Sequence, residues 1–255
     1  MAIQEYLSAN HVFDADDFRR AFPGSCTDRN LLNRAVAAGK VDRPKRGLYI
    51  SKTGRFTGAQ ASPFDVAVKA ADDVVFCLLS ALQLHGVLHN VAFRTQFYTA
   101  HKVAPFVYAG QEYRPIAMPP RAPVVQGLLT PAGRRYQVTT REQTLVDCLD
   151  RIGSAGGPEN VLRSVGGFGR IDASAVAEIA LQSSASTRAR LGWTLEAEAD
   201  NWKIAGDVLD RLAATLGTGP YYFDSSAEPR DVCWVNRWKL YLPYPEQEMT
   251  SWLSL

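Results

Sequence analysis

Three side chains able to read base edges share one arc of a short helical segment. Asn30, Asn33 and Arg34 recur at three- and four-residue spacing, with Ala37 beside them. At about 100° per residue, Leu31, Leu32, Ala35 and Val36 fall on the opposite arc. Asparagine can form paired hydrogen bonds with adenine, and arginine with guanine, in the major groove. A small Ala37 among them permits close approach, and Arg29 lies next to the same arc. A helix entering DNA by its N-terminal half would present Arg29, Asn30, Asn33 and Arg34.

The elements that must position these side chains follow from the flanking residues. Ile3, Tyr6 and Leu7 have the spacing of a short first helix. Asp14 is an N-cap, and Phe13 and Phe18 form a hydrophobic staple around it, predicting a helix over 15–22. Pro23 and Gly24 end that helix, Thr27 caps the next over 28–38, and Gly39 stops it. Residues 40–50 read as two short strands around a basic turn, with Arg43, Lys45 and Arg46 at its tip. Together with Arg29 and Lys40, these three are assigned to phosphates. Helix, helix, polar-faced helix, basic hairpin is the order of a winged helix-turn-helix.

Charge supports a polyanionic partner. Residues 18–55 hold ten basic side chains against Asp28 and Asp42, whereas the whole chain of 255 residues carries a net +2. A basic module therefore sits on a net acidic remainder.

Other constellations are weaker. His85 and His89 are four apart, but Gly86 stands where a metalloprotease helix needs glutamate. Gly166, Gly167 and Gly169 lack the strand, lysine and hydroxyl of a phosphate loop. Asp147 and Asp150 have no second catalytic group that the sequence places near them. Cys26, Cys77, Cys148 and Cys233 form no Cys-x-x-Cys pair, and a reducing compartment suits all four. No catalytic residue, metal ligand or cofactor is expected. The N-terminus has no signal-peptide pattern and the most apolar stretch, 74–88, is too short to span a bilayer. A soluble, cytoplasmic protein with no membrane partner is expected.

Beyond a linker over 52–58, the pattern predicts a larger α+β body. Ser62 and Pro63 open one helix, and a second runs over 75–84 with Gly86 closing it. Strands are expected over 96–99, 106–108, 113–118, 127–129 and 135–138. Thr140 and Gln143 fit a capping box for a helix burying Leu145, Cys148, Leu149 and Ile152. Further helices are expected over 158–165, 173–183, 187–199 and 205–216, with Asp172 and Ser186 as caps and Gly217 as a stop. Closing strands are expected over 221–223 and 232–241, which would put Trp234 and Trp238 on one face. The domain expectation is a winged helix-turn-helix over 1–55 and an α+β domain over 56–255.

Four stretches in this order resemble the AbiEi antitoxins of abortive-infection type IV toxin–antitoxin systems. Residues 31–40 running into Arg46, Gly47, Leu48 and Tyr49 resemble the family's recognition helix and wing. Ser80, Ala81, His85 and Gly86 resemble its helix carrying Ser-Ala and then His-Gly. Glu142, Thr144 and Asp147 resemble its Glu-x-Thr-x-x-Asp helix, with Gln143 where arginine is common. Arg190, Leu191, Gly192, Trp193, Leu195 and Glu196 resemble its Arg-Leu-Gly-aromatic-x-Leu-Glu segment. The resemblance implies a non-enzymatic antitoxin and transcriptional autorepressor. Its DNA would be inverted repeats in its own promoter, with a dimer allowed on them. It would oppose a nucleotidyltransferase-like toxin without a stable complex, through the carboxy-terminal body. Two rivals stand beside it: a ligand-responsive winged-helix regulator without a toxin, and a nucleic-acid-modifying enzyme.

Overall fold

The computed structural model describes residues 2–23, 28–224 and 233–254. Along the chain come α1 (Ile3–Ala9), β1 (Val12–Asp14), α2 (Ala15–Ala21), α3 (Asp28–Ala37), β2 (Val41–Lys45), β3 (Leu48–Ser51) and α4 (Pro63–Val68). Then follow β4 (Val75–Phe76), α5 (Leu78–Leu84), β5 (Arg94–Thr99), β6 (Phe106–Tyr108), β7 (Gln111–Ala117), β8 (Val125–Leu129) and β9 (Arg135–Thr139). The chain closes with α6 (Arg141–Asp150), α7 (Pro158–Gly166), α8 (Ala173–Ala180), α9 (Ala185–Ala197), α10 (Ala199–Trp202), α11 (Gly206–Ala214), β10 (Tyr221–Tyr222), β11 (Cys233–Val235), β12 (Leu240–Leu242) and α12 (Glu246–Ser251). The architecture is α+β: an amino-terminal region of helices and short strands, then a larger mixed part.

Two compact units result. One comprises residues 1–74 with 93–118, the other 75–92 with 119–255. In the first, β3 lies between β1 and β2, antiparallel to both. The helices α1, α2 and α3 close over this small sheet around Tyr6, Leu7, Phe13, Phe18, Leu32, Ala35, Val41 and Tyr49. Tyr6 meets Phe13, Phe18 and Phe22 edge-on, with ring centroids 5.3–5.6 Å apart, the arrangement aromatic quadrupoles favour. Asp14 caps α2 as expected. Its carboxylate accepts from Asp17 N at 2.7 Å, and Asp17 returns the bond to Asp14 N at 3.1 Å. Phe13 and Phe18 lie with centroids 6.1 Å apart, as the staple requires. Gly24 and the Thr27 cap lie outside the described residues. In the same unit β7 pairs in parallel with β5 and antiparallel with β6.

In the second unit β9 pairs in parallel with β4 and antiparallel with β8. Helices α6, α8, α9 and α11 pack on one another. Leu145, Cys148, Leu149 and Ile152 are buried there, as their spacing predicts. At Gly192 the Trp238 ring occupies the space a Cβ would need, so no larger residue fits without moving the indole.

Several local expectations are corrected. Residues 75–76 form a strand, and the helix begins only at Leu78, because Val75 and Phe76 are bulky side chains suited to a ladder. Thr140 caps α6 by accepting from Gln143 N at 3.3 Å, but Gln143 does not reach back to Thr140. Its amide instead accepts from Val124 N at 3.2 Å and donates to Asp147 Oδ1 at 2.8 Å. Ser184, not Ser186, caps α9, accepting from Thr187 N at 3.1 Å. Residues 233–242 are two strands joined by a turn, so Trp234 and Trp238 do not share a face. Trp238 is fully buried and Trp234 is exposed.

Candidate nucleic-acid interface

Helix α3 sorts its faces as its sequence requires. Leu32 and Ala35 are buried, and Leu31 and Val36 are half-buried. Asn30, Asn33, Arg34 and Ala37 are exposed. The apolar arc is held by the aromatic core of the first unit, so the polar arc is fixed outward by packing rather than by its own bonds. Among the described residues, no side chain pairs with Asn30, Asn33 or Arg34. Their donors and acceptors remain open to a ligand. The Arg29 side chain lies outside the described residues.

Lys40 follows the helix, and its backbone N–H donates to Ala35 O at 3.0 Å, closing the C-terminus. Its side chain is exposed. The β2–β3 hairpin comes next. Lys45 pairs with Leu48 across a two-residue turn of Arg46 and Gly47. Gly47 has φ +85°, a left-handed conformation that glycine adopts without steric cost. The hairpin is thus tighter than the sequence suggests. Arg46 occupies the turn and is exposed, whereas Arg43 lies within β2. There the register shifts between Asp42 and Lys45, and this irregularity accommodates Pro44, which cannot donate to a ladder.

The basic side chains of the hairpin differ in setting. The Arg43 guanidinium lies 5.8 Å from the centroid of the Tyr49 ring. The Lys45 ammonium lies 5.5 Å from the centroid of Phe106. Lys45 is half-buried, and burial lowers its pKa from the ordinary lysine value. Asp42 accepts a hydrogen bond from the Tyr108 hydroxyl at 3.0 Å and pairs with Lys52 at 3.2 Å. This brace from β6 was missed in the sequence. Phe106 and Tyr108 stand two apart on a strand and so face one way, but nothing in the sequence names the element they face. Asn30, Asn33, Arg34, Lys40, Arg43 and Arg46 are all exposed on one helix and the hairpin that follows it. Neutral amides and fixed positive charges in that order can meet base edges and phosphates together.

The remaining chemistry-bearing residues hold the scaffold. His85 Nε2 donates to Thr139 O at 2.8 Å. Burial lowers the pKa of this half-buried imidazole from the ordinary histidine value. His89 is tied through its backbone N–H to Ser164 Oγ at 3.0 Å. Thr144 and Thr139 share a hydroxyl contact of 2.7 Å, and Glu142 accepts from Asp172 N at 3.3 Å. Asp150 accepts from the Thr187 hydroxyl at 2.6 Å. Arg190 donates to Leu149 O at 3.0 Å and to Tyr222 O at 2.9 Å. Trp193 donates to Glu246 at 3.0 Å. Gly166 and Gly167 end α7, and buried Phe168 anchors the turn that follows. Among the described residues, no group of three or more His, Cys, Asp or Glu side chains is arranged to hold a metal ion. Among them, too, no helix is long and apolar enough to cross a membrane.

No family model and no curated protein sequence matches this chain. Among solved structures, the fold is similar to that in the crystal structure of the Rv2827c protein from Mycobacterium tuberculosis. The TM-score is 0.66 at 13% identity, over 94% of this chain and 89% of that one. The likeness is one of fold, and it extends along nearly the whole length of both proteins.

Proposed function

We propose that residues 1–55 are a winged helix-turn-helix and that the protein is a DNA-binding regulator of its own promoter. The observation that carries this reading is the exposed row of Asn30, Asn33 and Arg34 on α3, unpaired among the described residues and directly followed by the basic hairpin. The order α1, β1, α2, α3, β2, β3, with β3 central in the small sheet, supports it. In this reading α3 enters the major groove, while Arg29, Lys40, Arg43, Lys45 and Arg46 engage phosphates. The sequence resemblance to AbiEi antitoxins extends the proposal: residues 56–255 counter a nucleotidyltransferase-like toxin without forming a stable complex with it. Fluorescence anisotropy tests the DNA arm, using a labelled duplex from the region upstream of the protein's own gene and an unrelated duplex. Preference for the upstream duplex by about 10³ or more is expected, and equal affinity for the two overturns the proposal. Co-expression with the gene next door tests the antitoxin arm. Rescue of growth without co-purification is expected, and continued growth arrest counts against it.

A further inference from the structure

A pocket of about 600 Å³ opens within the second unit, a size ordinary for small-molecule sites. Its lining combines one buried acid with two exposed bases. Glu198, at the junction of α9 and α10, is only 3% exposed, and its Oε2 accepts from Asn201 Nδ2 at 3.0 Å. Among the described residues, Asn201 is the carboxyl's hydrogen-bond partner, and Oε1 has none. Burial pushes this carboxyl up from the ordinary range, and the Asn201 bond only partly offsets that. Arg170 and Lys203 line the same pocket, are exposed, and pair with no acid among the described residues. Trp202 supplies an apolar wall, while Gly166 and Gly169 contribute no side chains.

Glu198 Oε1 is not sealed from solvent, so from the pocket it can take a donor or a cation of a ligand. A simple anion would be repelled by Glu198, and a polyamine by Arg170 and Lys203. A small zwitterion, which carries an ammonium and a carboxylate together, satisfies both. We infer that this pocket binds a free α-amino acid, with Glu198 and Asn201 holding its ammonium and Arg170 and Lys203 its carboxylate. The inference stands apart from the DNA reading, because its test contains no DNA.

The test is thermal unfolding of the full chain with each of the common protein amino acids, followed by titration calorimetry of any that stabilises. At saturation at least one should raise Tm by roughly 4 °C or more. Its N-acetyl derivative and its amide should each bind at least roughly tenfold more weakly, as should the parent amino acid to E198Q. E198Q replaces a buried acid with a neutral group of the same shape. If that variant fails to fold, the exposed R170A carries the same expectation. No stabilisation by any amino acid overturns the inference, as does undiminished affinity of the N-acetyl derivative or of the folded variants.

Discussion

The Tyr108 hydroxyl donates to Asp42 across 3.0 Å, tying β6 to the second strand of the amino-terminal sheet. Three residues further along β2, Lys45 lies against the Phe106 ring of the same β6. The hairpin that carries Arg46 is therefore braced from its side rather than projecting alone. A braced hairpin holds its basic turn in place relative to α3, so under the proposed DNA reading less ordering would accompany binding.

Tyr108→Phe should remove that brace while keeping the ring. Stability should fall by about 1 kcal/mol, read as a lower urea midpoint with unchanged m. Burial first, and then the bond to Asp42, push the Tyr108 pKa up to about 12. The folded state thus keeps a proton that the unfolded chain releases near pH 10. Stability should therefore decline as pH rises from about 10 to about 12, and the variant should lose less over that window.

The opposite sign applies at His85. Its folded pKa is lowered, chiefly by burial, so the unfolded chain takes up a proton first. Its contribution is present above pH about 6.5 and is lost as pH falls below that value. Thermal melts from pH 8 to pH 5 should show Tm beginning to drop near pH 6.5, and His85→Gln should weaken that drop.

Gly192→Ala tests the close approach inside the second unit. An added Cβ meets the Trp238 ring, which is fully buried and donates to Glu196. Overpacking of this kind costs about 1–3 kcal/mol. A thermal melt should show the loss, and tryptophan fluorescence should shift as the indole moves. A variant with parental Tm and spectrum would mean that the ring has room to yield.

Arg46 sits in the hairpin turn with no partner among the described residues. Arg46→Ala should weaken binding to all duplexes alike and reduce the slope of log K against log salt by about 0.9. An unchanged slope would remove Arg46 from the phosphate contacts. Lys45, half-buried against Phe106, should change the slope less than Arg46 does.

The amino-terminal module was legible because its signals are local. The Asp14 cap, the Phe13–Phe18 staple and the period of α3 each act within one turn of helix, and the faces of α3 followed directly. The hairpin was legible in outline only. The place of Arg43 in β2 depends on a register shift at Pro44, which the composition of the turn does not announce. In the body, strand and helix types were mostly readable from residues 94–139 and from the Thr140 cap. Errors arose where tertiary partners decide. Gln143 turned to Val124 rather than to its own cap, and Trp238 left the strand pattern to fill the space beside Gly192. The Glu198 pocket draws its lining from residues 166–170, 198–203 and 253–254, a convergence that periodicity cannot reveal.

The central claim is that Arg34 reads a base from the open face of α3. Its most direct measurement is the affinity of the parent and of Arg34→Ala for the upstream duplex and for an unrelated duplex, at one salt concentration. The account predicts a loss of about 1–3 kcal/mol on the upstream duplex, little change on the unrelated one, and an unaltered Tm. Equal binding of both duplexes by parent and variant would contradict it.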